Sequence, residues 1–278
     1  MEIIMPSQKV KTAIHPMAIF REARSVCWKN LGKLSAIYLI FNLPLTLISL
    51  SPQMQSLEEQ KPSLTAWFWI LLLIGISSWG QVALLLGAQK AVGGQHYTIG
   101  QSINRAQRFL IKYLTLLASV TLFIFGLIIA AGISMALVLV FLPQVNKILA
   151  VLVCCLIIVA LITALVFFLL RWSLASAVCV FENTWPKAAL RGSFALVKDQ
   201  INPLTGVYGL MILVYAAGLA PMILTQVLTG VSQDPGSAQT GMTSYMFMIN
   251  LVLAPLWNTL TVVLYNKLKE VLETHVHA

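Results

Sequence analysis

Residues 113–139 read YLTLLASVTLFIFGLIIAAGISMALVL, without one charged side chain, and Lys112 stands immediately before them. The short segment LPQVNK at 142–147 follows, and a second uncharged stretch, 148–170, runs up to Arg171. A helix of about 20 apolar residues crosses the ~30 Å hydrocarbon layer of a bilayer. In that layer each backbone N–H and C=O must be satisfied within its own segment, which selects helices over open strands. The two stretches therefore predict a transmembrane hairpin closed by a tight turn. Four more stretches of the same kind lie at 34–50, 64–88, 204–228 and 245–264.

The expected fold is all-α, a polytopic membrane helix bundle with six transmembrane helices. Composition agrees: of 278 residues 59% are hydrophobic and 10% charged, against about 25% charged in a soluble domain. Mean hydropathy is +0.86. The chain reads as one integral membrane domain over 1–278. Residues 1–33 form an amphipathic N-terminus, 34–264 the bundle and 265–278 a tail. Residues 1–30 lack an apolar h-region, so no cleavable signal peptide is expected.

Charge orients the bundle. Sixteen of the 18 Lys and Arg residues fall in the N-terminal segment, in the connections between spans two and three and between four and five, and after span six. Only Lys61 and Lys147 fall on the opposite side. The positive-inside rule then puts both termini in the cytoplasm, and the expected location is a bacterial cytoplasmic (inner) membrane or another energised internal membrane. The net charge of +9 describes a basic face suited to anionic lipid headgroups. The basic residues are spread over interfacial segments, not packed into one tract, which argues against nucleic acid as a partner.

The basic segments share a pattern. Aligned on Lys29, Lys112 and Lys198, they carry Glu22, Arg105 and Arg191 seven residues upstream, and Ala23, Ala106 and Gly192 six upstream. A polar stripe alternates with an apolar one at helical spacing, so each reads as an amphipathic helix in the cytoplasmic interface leading into a two-span hairpin. Lys29, Lys112, Arg191 and Lys198 are the candidate contacts to anionic lipid. Three helix-plus-hairpin units are one reading; chance convergence on the same anchor is the other. The third segment has Asn183 or Thr184 as a candidate cap with Pro186 in its first turn, and departs from the others at Asn202-Pro203. Of the outer connections, 51–63 carries Glu58, Glu59 and Lys61, and 229–244, with Asp234-Pro235-Gly236-Ser237, reads as a flexible loop.

No span has an ionisable residue near its centre, so the usual parts of a proton-coupled or voltage-sensing device are missing. The polar side chains within spans include Asn42, Gln81, Gln226, Asn250 and Asn258. An amide in a span reads first as an interhelical hydrogen-bonding group, and second as the wall of a polar cavity. Span six makes the best case for a cavity: Asn250, Pro255, Trp257 and Asn258 fall together, and Pro255 frees a carbonyl one turn earlier. Pro221 in span five and Pro44 in span one can add kinks. Ala83, Gly87 and Ala91, and Gly126 and Ala130, recur every four residues and read as close-packing positions, inside the bundle before an oligomer.

Catalytic and metal-binding patterns are missing from the sequence, and neither cofactor nor enzyme activity is expected. His15, His96, His275 and His277 lie outside the spans and no pair has metal-ligand context. His96 with Lys90 and Arg105 reads as a solvated interfacial loop, with lipid phosphate as the lesser alternative. Cys154 and Cys155 read as small apolar residues, and Cys27 and Cys179 lie near the reducing face, so no disulfide framework is implied. Glu182 is the acid beside Arg171, Lys187 and Arg191, and an ion pair of Glu182 with that cluster, Arg171 in particular, is expected to anchor the end of span four.

Arg171-Trp-Ser-Leu-Ala, Val180-Phe-Glu-Asn and the run from Ala188 to Lys198, AALRGSFALVK, form one group of motifs. Trp28-Lys-Asn-Leu-Gly-Lys33 and the run from Ala254 to Tyr265, APLWNTLTVVLY, form another. Together the chain resembles the six-span membrane domain fused to some glycerophosphoryl diester phosphodiesterases, and related stand-alone bacterial membrane proteins. The resemblance implies six spans with cytoplasmic interfacial helices and a role facing a membrane partner or lipid. The phosphodiesterase chemistry of the fused proteins belongs to a separate soluble barrel that these residues do not contain, so no catalytic residue carries over.

The expectation is therefore a non-enzymatic multi-pass membrane protein that works by association. It would be an accessory or assembly subunit of a membrane complex, with a membrane-protein partner or its own copies, or a lipid-binding module. A transporter or permease component for a lipid-like or apolar solute is the alternative, with Asn250, Trp257, Asn258, Pro255 and Pro221 as its candidate cavity.

Overall fold

The computed structural model describes residues 15–49, 64–141, 147–229 and 235–276. Among these every element is an α-helix: α1 (Pro16–Ser49), α2 (Leu64–Val92), α3 (Ile99–Phe141), α4 (Lys147–Trp172), α5 (Ala175–Phe181), α6 (Pro186–Val197), α7 (Ile201–Thr229) and α8 (Pro235–Val276). Six of them, α1–α4, α7 and α8, supply helices long and apolar enough to cross a membrane, so this is a multi-pass membrane protein. The acidic loop with Glu58, Glu59 and Lys61, the turn residues 142–146, and Lys9, Lys11 and His277 lie outside the described residues.

Three helices far exceed the bilayer. α1 has 34 residues, α3 has 43 and α8 has 42, or roughly 50–65 Å at 1.5 Å per residue. The basic segments at 16–33 and 99–112 are thus continuous with spans one and three. Only the third basic segment is a helix of its own, α6, because Asn202-Pro203 sits where the chain restarts as α7. The apolar stripe of the first segment faces protein: Ile19, Ala23 and Cys27 are buried in a cluster with side chains of α5, α6, α7 and α8. Arg21, Arg24 and Lys29 on the opposite stripe are exposed.

α8 is the central helix. From Ala254 to Tyr265 its side chains are buried on nearly every face, Trp257 excepted, as expected of a helix apolar all round. α1 packs most extensively against α8 and α2. The α3–α4 hairpin is peripheral, with Leu122, Phe125, Ile133, Val151, Leu156 and Val159 all exposed. In a bilayer those side chains meet acyl chains, which are as apolar as they are.

Since lipid removes most of the hydrophobic drive between spans, close approach and hydrogen bonds hold the bundle. A Cβ added to Gly80 of α2 would lie 2.7 Å from Cβ of Phe41 on α1, so the absence of a side chain sets that crossing. One face further along, Ala83 and Ala91 are buried and Gly87 lies against Ile37 and Leu34. This small-residue stripe packs internally, as its spacing suggests. The stripe on α3 differs: Gly126 and Ala130 are exposed and nothing approaches Gly126.

Two helix boundaries correct the sequence reading. The N-cap of α6 is Trp185, with Pro186 at the first helical position, not Asn183 or Thr184. Asn183 instead adopts φ 54°, just past the Glu182 C-cap of α5, which is the left-handed stop that Asn tolerates better than most residues. Its cap-like chemistry marks a helix end. Likewise Pro235 begins α8, so Pro235-Gly236-Ser237 belongs to a helix start and not to a loop. Proline at that position has its φ preset and no N–H to lose.

Candidate functional site

Four of the five span amides singled out above converge. Asn42 of α1, Gln81 of α2, and Asn250 and Asn258 of α8 line one open cleft, together with Tyr38, Tyr215, Ala254 and Trp257. Its volume, about 460 Å³, is within the range of small-molecule sites. Helical periodicity explains the convergence. Tyr38 and Asn42 are four residues apart, and Asn250, Ala254, Trp257 and Asn258 recur at the i, i+4, i+7, i+8 spacing of one helix face. Depth follows from the apolar stretches. Asn42 is at the middle of 34–50, Tyr215 is one residue from the middle of 204–228, and Ala254 is at the middle of 245–264. The cleft lies within the apolar part of the bundle.

Each amide there spends one half of its capacity on protein. Asn258 Nδ2 donates to the Ala254 carbonyl at 2.9 Å and reaches Gln81 Oε1 at 3.4 Å. Asn42 Nδ2 donates to the Tyr38 carbonyl at 3.1 Å, and Asn250 Oδ1 accepts from the Tyr215 hydroxyl at 3.3 Å. Asn42 Oδ1, Gln81 Nε2, Asn250 Nδ2 and Asn258 Oδ1 have no partner among the described residues. An amide carries two donor hydrogens and a two-lone-pair acceptor. The cleft thus offers both donors and acceptors within the apolar part of the bundle. Trp257, 36% exposed, forms its aromatic wall, with the Tyr208 ring 5.3 Å and the Tyr215 ring 6.5 Å away.

The two candidate prolines sit apart from the cleft. Pro255 is buried behind it and acts through the backbone: without its N–H the Leu251 carbonyl is released, and Ser35 Oγ of α1 donates to that oxygen at 2.9 Å. Pro221 is exposed on α7 and does not line the cleft. One turn before it the Gly218 carbonyl accepts from the Tyr245 hydroxyl at 2.7 Å. Tyr38 and Tyr215 are cleft residues that the inspection of amides and prolines missed. The available signal was the four-residue step from Tyr38 to Asn42; nothing in the sequence points to Tyr215.

At the basic end the side-chain pairing differs from the expectation. Glu182 and Arg171 do not pair. The Glu182 carboxylate accepts from the Tyr265 hydroxyl at 2.7 Å and from Lys269 Nζ at 3.3 Å, which ties the end of α5 to the last turns of α8. The Arg171 guanidinium lies over the rings of Phe194 (4.2 Å) and Phe167 (5.0 Å), with Nε and Nη1 buried and unpartnered. The reason is the short α5, seven residues long, which carries Glu182 ten residues beyond the α4 end and turns it toward α8. Ser193 Oγ donates to the Arg171 carbonyl at 2.7 Å and joins α6 to α4 instead.

Of the candidate lipid contacts, Lys29, Arg191 and Lys198 are exposed. Lys112 is half-buried and committed: its ammonium donates to the Asn183 carbonyl (2.8 Å) and Oδ1 (2.7 Å) and lies 5.5 Å from the Trp185 ring. Among the described residues no group of three His, Cys, Asp or Glu could hold a metal ion, and Cys27, Cys154, Cys155 and Cys179 are free thiols. Comparison with protein-family models, with curated proteins and with solved structures returned no match to this chain.

Proposed function

We propose that this chain is a non-enzymatic, lipid-binding membrane protein that holds the uncharged polar part of an amphiphile in the mid-bundle cleft. One observation carries the reading: four half-satisfied amides from three helices meet in a cleft of about 460 Å³ in the apolar part of the bundle. An unpaired amide in hydrocarbon is costly, and an occupant with hydroxyl, ester or amide groups offsets that cost. The cleft holds no charged residue, so it favours a neutral polar group over an ion. By the positive-inside rule we assign the basic end of the bundle to the cytoplasm. The resemblance to phosphodiesterase-fused membrane domains supports the same class of role, a module facing lipid or a membrane partner.

A permease for a lipid-like solute is the second reading, favoured by the proline-interrupted helices α7 and α8 beside the cleft. The first test is mass spectrometry of lipid retained by protein purified in mild detergent. Wild type is expected to retain an amphiphile stoichiometrically and Asn250→Leu/Asn258→Leu to lose it while remaining folded; equal retention by both rejects the cleft as the site. Flux of the identified amphiphile across reconstituted vesicles separates holding from transport.

A further inference from the structure

A second cavity, about 480 Å³, lies at the basic end between the last turns of α2 and the first turns of α3. Its wall carries Lys90, Arg105 and Arg108, with Tyr97, Gln101 and Asn104 between them. It is separate from the cleft. Lys90 stands nine positions after Gln81 on α2, about two and a half turns, so the two side chains leave opposite faces of the helix.

No carboxylate lines this cavity, and the chain has no Asp or Glu anywhere between Glu59 and Glu182. None of the three cations takes part in a salt bridge among the described residues, whose ion pairs are Lys267–Glu270 and Lys269–Glu182. Lys90 is oriented by a hydrogen bond to the Gln95 side-chain oxygen, which leaves its charge uncompensated. The first turn of α3 adds the positive end of a long helix dipole.

Tyr97 forms the back wall of the cavity. The residue is 5% exposed, and its hydroxyl is buried without a hydrogen-bond partner. The ring is fixed from behind, with Gly87 beneath it and Lys33 Nζ 5.1 Å from its centroid. Burial pushes the phenol up to about 12, with Cys27 of α1 adding to the rise, so at neutral pH Tyr97 is an uncharged wall of the cavity. Orphaned buried hydroxyls are rare because each costs the desolvation of a polar group.

We propose that this cavity is a binding site for a phosphate ester, held by Arg105, Arg108 and Lys90. Guanidinium groups bind phosphate oxygens with paired, charge-assisted hydrogen bonds. The site lies just past the apolar part of α2, at headgroup level, which suits the phosphodiester of a phospholipid; a soluble phosphate compound presents the same chemistry. The inference does not depend on the mid-bundle cleft being occupied.

The test uses delipidated full-length protein in neutral detergent, with binding read by native mass spectrometry. The probes are phosphatidylglycerol, diacylglycerol of the same acyl chains, and inorganic phosphate. Phosphatidylglycerol is expected to bind and diacylglycerol not. Arg105→Gln and Arg108→Gln are each expected to weaken binding roughly tenfold. Arg24→Gln, a basic residue outside the cavity, is expected to change nothing. Inorganic phosphate that binds alone, with the same Arg105 dependence, identifies a soluble phosphate compound as the ligand; phosphate that neither binds nor competes identifies the lipid. Equal binding of phosphatidylglycerol and diacylglycerol, no binding of either phosphate probe, or equal loss in Arg24→Gln and Arg105→Gln overturns the proposal. Should a Gln variant misfold, Arg105→Lys keeps the charge and loses the planar fork, and is expected to bind more weakly than wild type.

Discussion

Ser35 of α1 donates a hydrogen bond of 2.9 Å to the backbone carbonyl of Leu251 in α8, the oxygen that Pro255 leaves without an intrahelical partner. A defect in one helix thereby becomes the docking point for another. Ser35→Ala removes the hydroxyl that donates at that contact and strands the carbonyl. A loss of about 1 kcal/mol is expected, the scale of interhelical hydrogen bonds in membranes. Pro255→Ala restores the i→i−4 bond, so Ser35→Ala is expected to cost much less in that background. Thermal unfolding of the two single variants and the double variant in one detergent measures this coupling; equal cost in both backgrounds removes the assignment.

The approach of α1 and α2 rests on Gly80. Its added Cβ would meet the Phe41 Cβ at 2.7 Å, an atom next to the backbone that cannot swing away. Gly80→Ala is expected to destabilise by roughly 1–3 kcal/mol, the cost of overpacking. Gly126→Ala on the exposed face of α3 meets nothing within 4 Å and is expected to be neutral or slightly stabilising, since alanine is the better helix former. Melting temperatures of the two variants in the same detergent decide the contrast.

How far the sequence was legible follows from what each residue answers to. The six spans obey a local rule, apolar length, and so could be read without tertiary information. The cleft was half legible. Asn250, Trp257 and Asn258 share a helix face by spacing alone, but their meeting with Asn42, Gln81 and Tyr215 depends on how α1, α2, α7 and α8 cross. Those crossings are set by contacts such as Gly80 against Phe41, which no single segment reveals. Charge pairing was the least legible. Arg171 and Glu182 are close in sequence and opposite in sign, yet a seven-residue helix between them sends the carboxylate to Lys269. Asn183 shows a related ambiguity, since Asn serves both as a helix cap and as a left-handed stop.

The Glu182 pairing has a direct check. Its partner Lys269 is partly exposed, the two side chains retaining 35% and 42% of their surface, so the pair contributes at most about 1 kcal/mol. A double-mutant cycle of Glu182→Gln with Lys269→Met is expected to give a small positive coupling that falls as salt rises. The cycle of Glu182→Gln with Arg171→Met is expected to be additive. Coupling of Glu182 to Arg171 and not to Lys269 would reverse the assignment made here.

The corner between α5 and α6 concentrates two strains on one residue. Asn183 holds φ at 54° and supplies both oxygens that accept from Lys112 of α3. Asn183→Gly keeps the backbone conformation at no steric cost and the carbonyl acceptor, and loses only the side-chain oxygen. Asn183→Val loses that oxygen too and forces a β-branched residue into the left-handed region, adding about 1–2 kcal/mol. Valine is therefore expected to destabilise clearly more than glycine. In a Lys112→Met background the side-chain bond is already gone, so Asn183→Gly should become nearly silent while Asn183→Val keeps its backbone cost. Unfolding midpoints of these variants separate the two terms; equal losses for glycine and valine would mean that the left-handed backbone contributes nothing.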